Sequence, residues 1–137
     1  MVATILKNAY FNVPYTPLAQ QIRAGGFTGG TIIIDFRRYQ IGGNLRIKFP
    51  DSRVISTKFP YYVPPPRQPG GQCLLIWNAA EHMALPENLR AYAQQKFGVE
   101  PGANDRTRVV EAFFLHSNTR RFKLGILLVT GKPGRCR

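Results

Sequence analysis

Acidic residues are scarce in this chain: 7 Asp and Glu stand against 19 Lys and Arg in 137 residues, which gives a formal net charge of +12. The acids are spread along the sequence and form no close set of the kind that holds a catalytic metal ion. We therefore expect neither a metal nor any other cofactor. So large an excess of positive charge favours a polyanionic partner, because self-repulsion of this size penalises the compact state.

Cysteine is also scarce, with only two residues, Cys73 and Cys136. Their spacing matches no zinc site, and two cysteines are too few for a disulfide framework. We expect a reduced, unlinked pair and hence a reducing compartment, such as the cytoplasm, an organelle matrix or a virion.

The two histidines, His82 and His116, are the candidates for acid and base catalysis. They could serve a small metal-independent ribonuclease, with Lys123 or Arg121 stabilising the transition state. Two histidines are no more than background in a chain of this length. We therefore expect no catalytic residues, no enzymatic activity and no small-molecule substrate, and we keep the ribonuclease as an alternative.

Long hydrophobic runs are absent as well. The longest apolar stretches, at 31–34 and 124–129, are far shorter than the roughly 18 residues that a membrane-spanning helix needs. Residues 1–13 show neither a signal peptide nor a transit peptide. The sequence therefore predicts a soluble or peripheral protein without a transmembrane segment.

What is present indicates a folded protein. Hydrophobic residues make up 44% and aromatic residues 12% of the chain, which is too much for a disordered basic tail. The length suits a single domain over residues 1–137. Within it, prolines and glycines at 60–72 predict a surface strap with polyproline II geometry, and residues 131–137 form a basic C-terminal tail.

Strand patterns dominate the sequence up to the strap. Residues 31–38 are apolar and β-branched, and residues 45–49 and 53–59 alternate between apolar and polar side chains. We expect the segments 45–49 and 53–59 to form a hairpin with a cationic outer face. A short helix at 16–24 precedes them.

After the strap, the apolar run 73–77 predicts a fully buried strand. A helix is expected at 86–97, because proline begins it and glycine follows it. A second hairpin joins 108–116 to 121–129. Together these patterns predict a β-rich α+β fold: one antiparallel sheet or small barrel built from hairpins, with one main helix packed on it.

The basic residues on the predicted strands and turns are the candidate binding site, since many dispersed cations neutralise phosphates without reading sequence. The positions expected to bind nucleic acid are Arg37, Arg38, Arg46, Lys48, Arg53, Lys58, Arg67, Arg106, Arg108, Arg120, Arg121, Lys123, Lys132, Arg135 and Arg137. Three tyrosines beside them, Tyr39, Tyr61 and Tyr62, are candidates for stacking on unpaired bases.

These features favour a non-enzymatic, RNA-binding structural component of a ribonucleoprotein assembly, of the ribosomal or organellar-ribosomal type. Its partners would be RNA or single-stranded nucleic acid and the neighbouring proteins, and it would act by phosphate neutralisation and shape fit.

Two further alternatives remain open. A viral capsid or nucleoprotein subunit would coat nucleic acid through a repeated interface, but the chain has no separate basic arm. An accessory subunit of a large membrane-bound complex would need an amphipathic basic helix, and the helix expected at 86–97 carries only Arg90 and Lys96.

Overall fold

The computed structural model describes residues 13–59, 66, 71–130 and 136. Three helices and five strands follow one another along these residues. They are α1 (Tyr15–Ala24), β1 (Gly30–Asp35), α2 (Tyr39–Lys48), β2 (Arg53–Ser56), β3 (Gln72–Asn78), α3 (Glu87–Phe97), β4 (Arg108–Phe113) and β5 (Arg121–Val129). The expected α+β class is confirmed.

The five strands form one open, mixed sheet in the order β2-β1-β3-β5-β4. Strand β1 pairs in parallel with both β2 and β3, whereas β5 is antiparallel to β3 and β4. The sheet is therefore neither wholly antiparallel nor a barrel. The physical reason is visible in β1 and β3, whose interiors are mostly apolar and are buried on both faces, as is typical of parallel strands covered by helices on each side.

The expectation of a strand at 45–49 is also wrong. Residues 45–48 lie in α2, and Phe49 is the C-cap of this helix. Adjacent parallel strands need a connection that crosses over the sheet, and α2 makes that crossover from β1 to β2. The local alternation is overruled: Leu45 is buried, but Ile47 is 72% exposed. No hairpin joins 45–49 to 53–59.

The other expected elements are found. The helices at 16–24 and 86–97 appear as α1 and α3, and the strand at 73–77 appears as β3. Gly98 ends α3 in the left-handed conformation, with φ 67°, which glycine adopts at little cost. The second hairpin joins β4 to β5. The strands expected at 31–38 and 53–59 are shorter, as β1 and β2.

The helices cover both faces of the sheet. Leu18 of α1 and Ile41 of α2 pack with Ile34 and the other side chains of one face. On the opposite face, Leu89 of α3 packs with Ile33 and the central strands. Among the described residues, no helix is long and apolar enough to cross a membrane.

Cys73 and Cys136 form a disulfide, so the expectation of an unlinked, reduced pair is wrong. Both residues are buried, and the hydroxyl of Thr31 donates a hydrogen bond to the carbonyl of Cys136 at 2.8 Å. Cys73 pairs with Val129, the last residue of β5, which places the chain that leaves β5 beside Cys73. The 63-residue separation hides this proximity in the sequence. A disulfide fits poorly with the expected reducing compartment.

Candidate nucleic-acid interface

Several of the candidate binding residues and both histidines lie at one end of the strands of the sheet. The parallel strands β1, β2 and β3 all end there, β4 also ends there, and β5 begins there, because β5 is antiparallel to β3 and β4. We call this the carboxyl edge and define it by residues 35–39, 57–59, 78–88 and 113–123. The opposite edge, where β1 to β4 begin and α2 and α3 end, is the amino edge.

Six of the basic residues predicted to bind nucleic acid lie at the carboxyl edge, and all six side chains are exposed. They are Arg37, Arg38, Lys58, Arg120, Arg121 and Lys123. Tyr39, which begins α2 beside Arg38, is also here and is 68% exposed. Its ring meets the ring of Phe59 edge-on, with 6.3 Å between the centroids. The strand ends thus place cations and an exposed aromatic ring on one surface.

A crevice of about 340 Å³ opens at the carboxyl edge between the loops that follow β1 and β3. The chain leaves β1 toward β2 on one side, while β3 lies on the other side, so the two loops diverge and leave a gap. Gaps of this kind are where open sheets with parallel strands bind ligands. The lining residues are Asp35, Phe36, Arg37, Arg38, Lys58, Asn78, Glu81, His82 and Asn88.

Asp35 holds together the segments that line this crevice through contacts of its carboxylate. The hydroxyl of Thr57 donates to Asp35 Oδ1 at 2.5 Å, and the amide of Asn88 donates to Asp35 Oδ2 at 2.9 Å. Lys58 Nζ lies 3.9 Å from Asp35 Oδ1, and the Asp35 side chain is only 12% exposed. Both carboxylate oxygens are therefore engaged, and Asp35 fixes the chain after β2 and the first turn of α3 on either side of β1.

The face of β4 and β5 next to the crevice adjoins the carboxyl edge. Glu111 forms an ion pair with Arg121 and lies 4.0 Å from Lys123, and the Arg121 guanidinium lies 4.8 Å from the centre of the Phe113 ring. Phe113 and Val109 are each more than 40% exposed. This face joins the crevice through Trp77, whose Nε1 donates to the carbonyl of His82 at 2.9 Å.

Five other predicted cations lie away from the carboxyl edge, and each donates a hydrogen bond within the fold. Arg46 donates to the carbonyl of Val54 and Lys48 to the hydroxyl of Thr16, while Arg53 donates to the hydroxyl of Thr31. Near the amino edge, Arg106 and Arg108 donate to the backbone carbonyls of Ala103 and Gly25. These side chains have structural roles that need no ligand.

The remaining candidates lie outside the described residues. They are Arg67, Tyr61 and Tyr62 in the strap and Lys132, Arg135 and Arg137 in the tail. The strap at 60–72 and the tail at 131–137 are therefore represented only by residues 66, 71, 72 and 136.

The two histidines are separate features of the carboxyl edge. His82 lines the crevice, whereas His116 lies in the turn between β4 and β5. His116 also has a left-handed backbone with φ 64°. No described contact links the two side chains, and within the described residues no three His, Cys, Asp or Glu side chains lie together as metal ligands would.

Asp35, Asn78 and Asn88 belong to the site although the sequence did not lead us to expect them there. The available signal was the position of Asp35 immediately after the apolar run Ile32–Ile34, since a polar residue at the end of a buried strand marks the ligand-binding edge of a parallel sheet. An antiparallel sheet gives no such edge, and that expectation concealed the signal.

No known protein family matches the chain, and no curated protein or solved structure is similar enough to match it. The geometry of the carboxyl edge is therefore the basis for assigning a function.

Proposed function

We propose that this protein binds RNA or single-stranded nucleic acid through its carboxyl edge, as a non-enzymatic structural component of a ribonucleoprotein assembly. The observation that carries this proposal is the crevice of the carboxyl edge, with Arg37, Arg38 and Lys58 in its lining and the exposed ring of Tyr39 beside it. Arginine suits this role because its guanidinium binds phosphate oxygens in pairs and stacks on bases.

Charge alone does not select this edge, because the amino edge is basic too. Cations at both edges have partners within the fold: Arg106 and Arg108 donate to backbone carbonyls, and Lys58 and Arg121 lie beside the carboxylates of Asp35 and Glu111. The difference lies in the exposed aromatic rings of the carboxyl edge. At the carboxyl edge three of the six cations line a crevice, the exposed ring of Tyr39 follows Arg38, and the exposed ring of Phe113 lies against the Arg121 guanidinium. Cations interleaved with aromatic rings are the pattern that binds unpaired nucleotides.

The test compares two triple variants that remove the same charge. The first variant, with Arg37→Ala, Arg38→Ala and Arg120→Ala, removes three of the six cations from the carboxyl edge. The matched control set, Lys96→Ala, Arg106→Ala and Arg108→Ala, removes three cations from the amino edge. Fluorescence anisotropy is measured with labelled single-stranded RNA, single-stranded DNA and double-stranded RNA over a salt series.

We expect the carboxyl-edge variant to lose at least about tenfold in affinity for single-stranded RNA and to show a shallower salt dependence, since each lost phosphate contact lowers the slope by about 0.7. The amino-edge variant should stay within about threefold of the unmodified protein. Equal losses in the two variants, or no binding to any nucleic acid, would contradict the proposal.

The same samples separate the alternatives. Light scattering of the RNA complex distinguishes a monomer, which a ribonucleoprotein component predicts, from the repeated multimer of a capsid or nucleoprotein subunit. Binding to anionic vesicles but not to RNA would support the membrane-complex subunit instead. Cleavage of the labelled RNA that disappears in His82→Ala would support the ribonuclease.

A further inference from the structure

We propose that the crevice at the carboxyl ends of β1 and β3 binds a nucleotide phosphomonoester, so that the protein prefers the phosphorylated end of a nucleic-acid strand. We call this binding site the phosphomonoester seat. This inference rests on the proposed function and deepens it. A volume of about 340 Å³ is at the lower end of the range for small-ligand sites, which fits one nucleotide and not a passing duplex.

The cationic side of the crevice supplies the phosphate contacts. Arg37 and Arg38 follow β1, and Lys58 follows β2, so cations from two separate loops converge on one space. Asp35 does not repel an anion strongly, because Lys58 lies 3.9 Å from its carboxylate and Thr57 and Asn88 donate to it. A phosphomonoester carries more negative charge than a phosphodiester and gains more from several cations.

The opposite side of the crevice suits the rest of a nucleotide. Asn78, Glu81 and His82 come from the end of β3 and the loop after it, and they bring polar groups that can accept or donate hydrogen bonds. A carboxylate such as Glu81 has no use in a bare phosphate site. It is suited to the hydroxyls of a ribose, as the acidic residue of dinucleotide-binding sheets is.

Tyr39 provides a surface for the base. It follows Arg38 directly, begins α2 and leaves 68% of its surface exposed, while Phe59 supports its ring from the side. Base stacking on an aromatic ring requires an unpaired base. A strand end offers an unpaired base and a terminal phosphate together.

The experiment measures a ratio of affinities that is independent of overall RNA binding. The probes are one labelled single-stranded oligonucleotide in three forms, with a 5′-phosphate, with a 3′-phosphate and with hydroxyls at both ends. Uridine monophosphate and uridine serve as free competitors. Each probe is titrated with the unmodified protein, with a crevice variant (Arg37→Ala, Arg38→Ala) and with a hairpin variant (Arg120→Ala, Arg121→Ala).

We expect one phosphorylated form to bind at least about tenfold more tightly than the hydroxyl form. The crevice variant should abolish this preference. The hairpin variant should weaken all forms and leave the preference unchanged. Uridine monophosphate should compete better than uridine, with Tyr39→Ala weakening this competition. All these side chains are exposed. Circular dichroism is used to check that each variant is folded before it is titrated.

The outcomes separate the two proposals. Equal affinities for the three forms, or a preference that survives in the crevice variant, would overturn the phosphomonoester seat while leaving RNA binding intact. Binding of free uridine monophosphate without binding of any oligonucleotide would support the seat as a site for a free nucleotide and would overturn the proposed function.

Discussion

At the residue scale, the contact between Gly125 and Trp77 constrains the sheet beside the crevice. A Cβ on Gly125 would lie 2.1 Å from Trp77 Cε2. The indole is only 1% exposed, and its Nε1 donates to the carbonyl of His82. The ring therefore cannot move aside without disturbing the loop that lines the crevice.

We predict that Gly125→Ala lowers the free energy of unfolding by about 2–3 kcal/mol, because overpacking a close contact forces side chains and backbone to shift. Urea denaturation measures this change. The matched control is Gly43→Ala, since a Cβ at Gly43 in α2 meets nothing within 4 Å. That substitution should instead stabilise the protein by about 0.5–1 kcal/mol. Equal effects of the two variants would refute the packing argument.

Tyr92 on α3 gives a pH dependence of stability. Burial raises the pKa of Tyr92 above the ordinary value of 10.0, because the phenolate loses hydration. The contribution of Tyr92 to the free energy of unfolding is complete below the pKa that Tyr92 has in the unfolded chain. It is lost as the pH rises above about 10 and passes through the pKa that Tyr92 has in the folded protein. In Tyr92→Phe, the unfolding free energy measured from pH 9 to 11 should fall less steeply than in the unmodified protein. Identical slopes would show that Tyr92 makes no such contribution.

At the element scale, side chains from the helices block both edge strands. The amide of Gln21 on α1 donates to the carbonyl of Glu111 at 2.7 Å and accepts from its N–H at 3.1 Å, as a neighbouring strand would. On the other edge strand, β2, the carbonyl of Val54 points away from the sheet and accepts a hydrogen bond from Arg46 of α2. Such blocked edges resist pairing with the edge strand of another molecule.

We predict that Gln21→Ala destabilises the protein by about 1–2 kcal/mol and promotes self-association at high concentration, because the backbone groups of Glu111 lose their partner. Chemical denaturation and light scattering measure the two effects. Gln20→Ala is the matched control, since Gln20 is exposed on the same helix. If both variants stay monomeric and equally stable, the side chain of Gln21 does not protect the edge.

Elements with local signals were predicted from the sequence, whereas the topology was not. The apolar spacing and terminal glycine of α3, and the turn between β4 and β5, are local features that the fold keeps. Helix α2 was missed because Gly42 and Gly43 are poor helix formers and the residues after them alternate like a strand. Its helical state follows from the parallel pairing of β1 with β2, which is not a local property.

The candidate site, too, could be predicted only in part from the sequence. The cations of the carboxyl edge were predicted from charge, which is visible in the sequence. Their grouping with Asp35, Asn78 and Asn88 was not, because it depends on β1 and β3 lying side by side although they are separated along the chain by α2 and β2.

At the scale of the whole molecule, the disulfide ties the C-terminal end of the chain to the start of β3. Closing a segment of 63 residues reduces the entropy of the unfolded chain and stabilises the fold by about 4 kcal/mol. We predict that a reductant lowers the free energy of unfolding by about this amount, as measured by urea denaturation. The double variant Cys73→Ala, Cys136→Ala should start at the lower value and show no response to the reductant. The disulfide lies at the amino edge, so RNA affinity should be unchanged under conditions where both forms stay folded.

A footprint by amide hydrogen exchange shows whether nucleic acid binds at the carboxyl edge. Exchange is compared with and without a saturating single-stranded RNA oligonucleotide. We expect slower exchange at residues 36–40, 57–58, 79–82 and 114–123, and unchanged exchange at 23–29 and 102–108. Protection confined to the amino-edge segments, or no protection anywhere while RNA is bound, would show that nucleic acid does not bind at the carboxyl edge.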